Sequence, residues 1–91
     1  MGEIDLVMLD RSKVHKKILV FVEVRFRSRQ DFGGAAASVT LVKQRRIIRT
    51  AQWFRQNQPT YQNLPCRFDV IAISGTAKAF NIKWLSSAFD G

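Results

Sequence analysis

Residues 2–27, GEIDLVMLDRSKVHKKILVFVEVRFR, decide how this chain folds. They hold two stretches in which side chains alternate between two faces, which is the period of a β-strand. The second stretch is almost wholly apolar, but Glu23 and Arg25 follow Leu19 and Phe21 on the same face. A carboxylate and a guanidinium at the end of so apolar a strand are rarely there for packing. We therefore predict an antiparallel hairpin that carries functional side chains.

The two carboxylates of this hairpin are expected to lie close together. Pairing position 5 with position 23 sets apolar residues opposite apolar residues, and so do pairings shifted by two, so the sequence leaves the exact register open. In each of these registers Asp5 lies near Glu23. Like charges directly across a sheet are destabilising, unless a cation lies between them. Hard cations such as Mg²⁺ prefer carboxylate oxygens. The pattern thus predicts a metal site at Asp5 and Glu23, or else ion pairs of both with Arg25, Arg27 or arginines of the helix.

Composition narrows the classes of protein to consider. A chain of 91 residues makes a single domain, 1–91, and 46% hydrophobic residues exclude general disorder. No apolar run reaches the roughly 18–20 residues of a membrane span, and the start lacks the pattern of a secretory signal. The single Cys66 cannot form an internal disulfide, which fits a reducing compartment and a cytoplasmic location.

The charge balance favours a polyanionic partner. The chain has 15 Lys and Arg against 7 Asp and Glu, a net charge of +8. So strong a field in so small a domain favours nucleic acid, although membrane-surface and ribosome-associated proteins share this composition. With no membrane span in the sequence, nucleic acid is the predicted partner.

The remainder of the chain predicts one helix and two more strands. The predicted segments are a polar loop over Asp10–Lys17, a turn at Gly33-Gly34 within 28–38, a helix from Thr40 to about Gln58, strands at Cys66–Ile73 and Phe80–Leu85, and a tail from Ser86. The order β-β-α-β-β predicts an α/β (α+β) fold with a mixed sheet. One helix covers only one sheet face, so the other apolar face needs a further layer.

The predicted helix has an apolar side and a cationic side. Thr40 can cap it. The apolar side comprises Leu41, Ile47, Ile48, Ala51 and Phe54, and the other side carries a cationic ridge, defined as Arg45, Arg46 and Arg49. Such a ridge suits phosphates, and we extend the predicted nucleic-acid contacts to Lys43 and to Arg27. Gln44 falls in the apolar sector, where it either helps to hold a site or satisfies backbone groups. Trp53 near the ridge either stacks on a base or packs at an interface.

Three further residues could carry chemistry but have simpler explanations. Asp69 either bonds Arg67 or a loop amide, or belongs to the site. Cys66 lacks a second thiol and is expected in the core, and His15 lacks a second ligand at metal spacing and is expected on the surface.

Several motifs in order along the chain resemble the bacterial YraN-like family. They are Gly2-Glu3-Ile4-Asp5-Leu6, Val20-Phe21-Val22-Glu23-Val24-Arg25, Phe32-Gly33-Gly34, Lys43-Gln44-Arg45-Arg46, Pro65-Cys66-Arg67-Phe68-Asp69-Val70 and Ala88-Phe89. That family is similar to the restriction-endonuclease-like fold of PD-(D/E)XK nucleases, and especially to archaeal Holliday-junction resolvases. The resemblance implies a metal-dependent nuclease fold, with Mg²⁺ or Mn²⁺ as cofactor.

The resemblance also implies roles for individual residues. Asp5 matches the motif aspartate, and Glu23 and Arg25 match the (D/E)-x-K pair. Gln44 matches a polar helix position near the site. The implied catalytic set is therefore Asp5, Glu23, Arg25 and Gln44, with Asp5 and Glu23 as metal ligands. The family usually has Lys where Arg25 stands here, and arginine keeps its proton, so only electrostatic support is left to it.

A second departure concerns the segment before Gly2. The family normally begins with a helix, which contributes a glutamate to the metal site in related nucleases, and this chain lacks that helix. Either the chain is shortened, or its start is misplaced, or another subunit covers the bare sheet face. Without that helix, a form of the protein that binds no metal is a second expectation beside Mg²⁺ or Mn²⁺ binding. The missing layer predicts a homodimer, as in the resolvases. The predicted protein is a nucleic-acid-binding protein with a nuclease-like fold. Its expected activity is that of a Mg²⁺-dependent endonuclease on branched or structured DNA, with DNA favoured over RNA. The alternative is a non-catalytic nucleic-acid-binding or protein-interaction module.

Overall fold

A computed structural model describes residues 3–27 and 39–91. The elements are β1 (Leu6–Lys13), β2 (Lys16–Arg27), α1 (Leu41–Asn57), β3 (Cys66–Gly75) and β4 (Phe80–Phe89). Their order confirms the β-β-α-β-β prediction. The turn predicted at Gly33-Gly34, with Phe32 before it, lies outside the described residues. No helix in the described part of the chain is long and apolar enough to cross a membrane.

The four strands form one mixed sheet in the order β1-β2-β3-β4. The pairs β1–β2 and β3–β4 are antiparallel, and β2–β3 is parallel. A parallel neighbour requires a crossover of a dozen or more residues, and α1 lies within this crossover. The predicted mixed sheet, with one helix among the described residues, is thereby confirmed.

The hairpin of β1 and β2 adopts one of the registers that the sequence left open, with a shorter turn than predicted. Val7 pairs with Phe21 and Leu9 with Leu19. The loop predicted over Asp10–Lys17 is wrong, because β1 continues to Lys13 and β2 begins at Lys16. The polar composition there reflects exposure of the hairpin end, since charged side chains can occupy strand positions that face solvent. The pairing shifts between Asp10 and Lys13.

The core lies between α1 and one face of the sheet, called here the helix face. Ile47 and Ala51 of α1 are buried against apolar side chains of β2 and β3. Phe21 packs edge-on against Phe54 with ring centres 5.9 Å apart. It also stacks on Phe68 at 5.6 Å. The helix begins after its predicted cap Thr40, whose side chain accepts from the Lys43 amide. Leu41 departs from its predicted place on the buried side, since it is 67% exposed.

The opposite sheet face is apolar and carries several exposed large side chains, although Val20 and Val22 of β2 on this face are buried. We call it the open face, and its exposed large apolar side chains are Leu6, Met8, Phe26, Phe80, Ile82 and Trp84. The predicted end of the last strand at Leu85 is wrong, because β4 continues to Phe89 after an irregularity in its pairing. Ser87 within it has a φ of 52°, in the left-handed region that non-glycine residues rarely adopt.

Asp69 holds this irregular part of β4 in place. Its side chain is fully buried. It accepts bonds from Arg67 Nε at 2.8 Å, from Trp84 Nε1 at 2.8 Å and from the Ser87 amide at 2.9 Å. Arg67 also reaches Asp10 at 2.8 Å. The predicted bonds of Asp69 to Arg67 and to a backbone amide are both present, so the carboxylate is fully used in structure.

Candidate metal centre

The candidate centre lies on the helix face, where the chain enters β1 and passes along β2. Asp5 directly precedes β1, and its Oδ2 accepts a hydrogen bond of 2.8 Å from the Val24 amide. Because Val24 adjoins Glu23 in β2, this bond holds the Asp5 carboxyl beside that residue. The sequence prediction that the hairpin brings the two carboxylates together is reproduced by this geometry.

Glu23 is a buried carboxyl whose hydrogen bonding is incomplete. It is 4% exposed and lies opposite Val70 of β3. No donor from the described residues forms a hydrogen bond with its Oε2. Among the described side chains, Lys43 Nζ forms an ion pair with that oxygen at 3.5 Å. A buried carboxylate oxygen without a donor is costly, so the site is suited to a further positive group.

The pKa values of the two carboxyls are driven apart. Burial, and after it the neighbouring Asp5, together raise the pKa of Glu23 to about 7. The hydrogen bond with Glu23 lowers the pKa of Asp5. The pair therefore holds one proton near neutral pH, as expected of two carboxyls that share a site. A divalent cation can replace that proton, and two carboxylate oxygens are ligands that Mg²⁺ accepts.

Glu3 and Lys43 complete the charge cluster. Lys43 Nζ donates a hydrogen bond to Glu3 Oε2 at 2.6 Å, and this bond is the main reason that the pKa of Lys43 is raised. Lys43 was predicted as a nucleic-acid contact, and its head group lies between Glu3 and Glu23. Glu3 was not predicted as a site residue. The strand alternation that places it on the face of Asp5 was the available signal.

The other predicted catalytic residues lie around this cluster. Arg25 is half-buried on the helix face opposite Ala72. No ion pair of the described residues joins Arg25 to Asp5 or Glu23. The Arg27 side chain lies outside what the structure describes. Gln44 Nε2 donates to the Val39 carbonyl at 2.9 Å, which is the backbone alternative left open by the sequence. Its role in the site stays a prediction.

The cationic ridge is exposed, and it begins beside the carboxyl cluster. All three of its arginines are exposed on α1. The pKa of Glu3 is lowered mainly by its hydrogen bond with Lys43, and the positive charge of Arg46 lowers it further. The ridge therefore acts electrostatically on the carboxyl cluster. Trp53 is exposed farther along the helix.

The candidate ligands are a pair rather than a larger set. Among residues 3–27 and 39–91, no group of three or more His, Cys, Asp or Glu is placed to hold a metal. Mg²⁺ is commonly bound through one or two carboxylates, with waters and substrate phosphates completing its coordination. The pair of Asp5 and Glu23 fits that mode of binding, with Lys43 beside it.

Comparisons with known proteins identify relatives across almost the whole chain. A sequence model of the "Uncharacterised protein family UPF0102" matches residues 1–73. A UPF0102 protein of Enterobacter sp. (strain 638) is 46% identical over 97% of this chain and 61% of its own length. One of Pseudomonas syringae pv. syringae (strain B728a) is 49% identical over 98% of this chain and 69% of its own. The chain thus spans about three fifths to two thirds of these relatives. The predicted YraN-like resemblance is confirmed.

Proposed function

The chain belongs to the UPF0102 family, and we propose that it acts as a Mg²⁺-dependent endonuclease on branched or structured DNA. One observation carries the proposal. Asp5 and Glu23 form a carboxyl pair on the helix face, and the Oε2 atom of Glu23 is buried without a hydrogen-bond donor from the described residues. Such a pair is poorly suited to a purely structural role, since burying a carboxylate oxygen that lacks a hydrogen bond destabilises a fold, and the ion pair with Lys43 at 3.5 Å offsets only part of that cost.

The reaction is hydrolysis of a phosphodiester. Asp5 and Glu23 would hold Mg²⁺, which lowers the pKa of a water molecule and neutralises charge on the phosphate. A bond forms between the water oxygen and phosphorus, and the bond from phosphorus to one ester oxygen breaks. The water loses a proton to solvent, and the departing oxygen keeps the electron pair and takes a proton from solvent. Arg25 lies on the same face as Glu23 and adds positive charge.

The substrate class follows from the cationic ridge. Arg45, Arg46 and Arg49 are exposed on α1, next in sequence to Lys43 and Gln44. Arginines in a row bind phosphates and do not read bases by themselves, so recognition by shape is expected. Branched DNA is the shape that the resemblance to Holliday-junction resolvases implies.

Cleavage of a synthetic four-way junction with and without Mg²⁺ tests the proposal. The parent chain is compared with Glu23→Gln, which removes a metal ligand and keeps the shape of the side chain. Asp90→Asn is the matched control, because it makes the same charge change at an exposed residue outside the centre. Titration calorimetry with Mg²⁺ on each protein accompanies the assay.

We expect Mg²⁺-dependent cleavage by the parent and by Asp90→Asn, and a loss of about 100-fold or more in Glu23→Gln. The calorimetric signal should disappear in the same variant. Equal cleavage by Glu23→Gln and the parent would overturn the assignment of the centre. Absence of cleavage of every junction and duplex tested would overturn the nuclease function.

The exposed ridge favours a second candidate function, which is DNA binding without cleavage. The ridge arginines are exposed on α1 and could bind DNA whether or not the carboxyl pair is intact. A binding module would hold DNA with salt-sensitive affinity and would be insensitive to Asp5→Ala. Replacing the three ridge arginines by glutamine should lower the slope of log affinity against log salt by about 2–3 in either case. Mg²⁺-dependent cleavage separates the two candidates.

A further inference from the structure

We propose that Lys43, rather than Arg25, supplies the catalytic cation of the centre, and that Glu3 is the positioning residue that holds it. This inference rests on the proposed nuclease function. In it, the Lys43 ammonium donates a hydrogen bond to a nonbridging oxygen of the scissile phosphate and neutralises the charge that develops there. The resemblance assigns that duty to the residue two positions after Glu23, which is Arg25 in this chain.

The contacts favour Lys43 over Arg25. Lys43 Nζ is 2.6 Å from Glu3 Oε2 and 3.5 Å from Glu23 Oε2, so it touches the buried oxygen that lacks a hydrogen bond. Within the part of the chain that the structure describes, Arg25 makes no ion pair with either candidate ligand. Among the described side chains, the cation that contacts the candidate centre thus comes from α1.

The backbone of Lys43 is fixed, whereas its head group can reach a substrate. It is the third residue of α1, and its amide donates to Thr40 Oγ1 at 3.2 Å. Its side chain is 31% exposed, while that of Glu23 is 5% exposed. The ammonium therefore lies at the mouth of the site, between the buried carboxyl and solvent. A phosphate that approached along the cationic ridge would meet it beside the pair of carboxyls.

Glu3 gives Lys43 a fixed position without competing for the metal. The Glu3 side chain is 36% exposed, and its Oε2 accepts the bond from Lys43. When a metal occupies Asp5 and Glu23, the weaker contact of Lys43 to Glu23 is the one to be lost, because two cations repel at short range. The bond to Glu3 then keeps the ammonium near the phosphate. A purely structural role would instead make Lys43 an anchor for the chain before β1.

The test compares Lys43→Gln, Lys43→Arg, Arg25→Gln and Glu3→Gln with the parent chain. Lys17→Gln is the matched control, since it removes a lysine from the exposed beginning of β2. Three quantities are measured on each protein. They are the Mg²⁺ dissociation constant by calorimetry, the affinity for a four-way junction without Mg²⁺, and the single-turnover cleavage rate at saturating Mg²⁺ and junction. Thermal melting shows that each variant is folded.

For Lys43→Gln we expect a cleavage rate about 100-fold to 1,000-fold lower. Its Mg²⁺ affinity should be unchanged or several-fold tighter, because a competing positive charge is gone. Its junction affinity should fall by less than about 5-fold. Lys43→Arg should recover part of the rate, Glu3→Gln should lose about 10-fold, and Arg25→Gln should lose less than Lys43→Gln. Lys17→Gln should cleave like the parent.

Four results would overturn the inference. If Lys43→Gln cleaved like the parent, Lys43 would not be the catalytic cation and the nuclease function would stand. If Arg25→Gln lost more activity than Lys43→Gln, Arg25 would be the cation and the nuclease function would again stand. If the loss in Lys43→Gln were matched by weaker Mg²⁺ binding and disappeared at saturating metal, Lys43 would organise the centre without acting on phosphate. If the parent failed to cleave, the proposed function itself would be wrong.

Discussion

At the scale of single residues, Glu23 makes stability depend on pH. Its pKa in the folded protein is about 7, above the ordinary value of 4.5, so the folded state binds this proton more tightly than the unfolded chain. The stabilisation is complete below pH 4.5 and is lost as the pH rises through about 7. The lowered pKa of Asp5 has the opposite sign, because it contributes stability that is complete above the ordinary value of 3.8 and is lost as the pH falls below it.

We therefore expect Glu23→Gln to resemble the parent at pH 5 and to be more stable by about 1–3 kcal/mol at pH 8, without divalent cations. Urea denaturation at the two pH values measures this. Adding Mg²⁺ should stabilise the parent at pH 8 and leave the variant unchanged, because a ligand stabilises only the state that binds it. A difference between parent and variant that was the same at both pH values would contradict the assignment.

Asp69 is the buried charge whose role is structural. Its partners Arg67, Trp84 and the Ser87 amide surround it on the open face. Asp69→Asn should lower the free energy of unfolding by about 3 kcal/mol, since Arg67 loses one of its two carboxylates and the strained Ser87 loses its charged acceptor. Chemical denaturation checks this against Asp90→Asn. A loss no greater than that of the control would show that the network does not need the charge.

At this scale, the sequence predicted contacts between side chains that strand alternation places on the same face of one hairpin. It did not predict contacts between side chains from distant segments of the chain. Asp5 and Glu23 share a hairpin face, so their proximity follows from strand period alone. The bond from Lys43 to Glu3 joins residues 40 positions apart, and it depends on where α1 begins over the sheet. No local pattern carries that information.

At the scale of elements, the N-terminus of α1 positions the candidate centre. The Thr40 side chain caps this end through the Lys43 amide. Thr40→Ala should cost about 1 kcal/mol of stability, whereas Thr40→Ser should stay near the parent. Urea denaturation of the three proteins measures both values. Equal losses in the two variants would mean that the methyl group of Thr40, and not its hydroxyl, is what the fold requires.

The helix and the strands could be predicted from hydrophobic periodicity and from capping and helix-breaking residues, but the ends of the strands could not. Thr40 and Pro59 bracket α1 closely because capping and helix breaking are local effects. The ends of the strands were misjudged around Lys13 and after Leu85, where polar side chains continue in strands. Pairing with a neighbouring strand holds these residues extended, whatever their polarity. The extra length of β4 also depends on Asp69, which holds Ser87.

At the scale of the whole molecule, the open face is the feature to test. Ile82 on it is 60% exposed, among neighbours that are also apolar. The homodimer predicted from the sequence would cover such a face. Sedimentation equilibrium should then give a dimer for the parent and a monomer for Ile82→Lys. Val14→Lys, at the 90% exposed tip of the first hairpin, should remain dimeric. A monomeric parent would contradict the prediction.

The parallel pairing of β2 with β3 has a consequence for a ribosome-bound chain. The hairpin that carries Asp5 and Glu23 can form from its own residues, but β3 can join β2 only after the whole crossover has been synthesised. Until then Glu23 lacks its neighbour Val70, and Lys43 lacks a docked helix. Contacts of such long sequence separation form slowly. A half-made polypeptide therefore carries the two carboxylates in water as ordinary acids, and the raised pKa of Glu23 arises only with the completed fold.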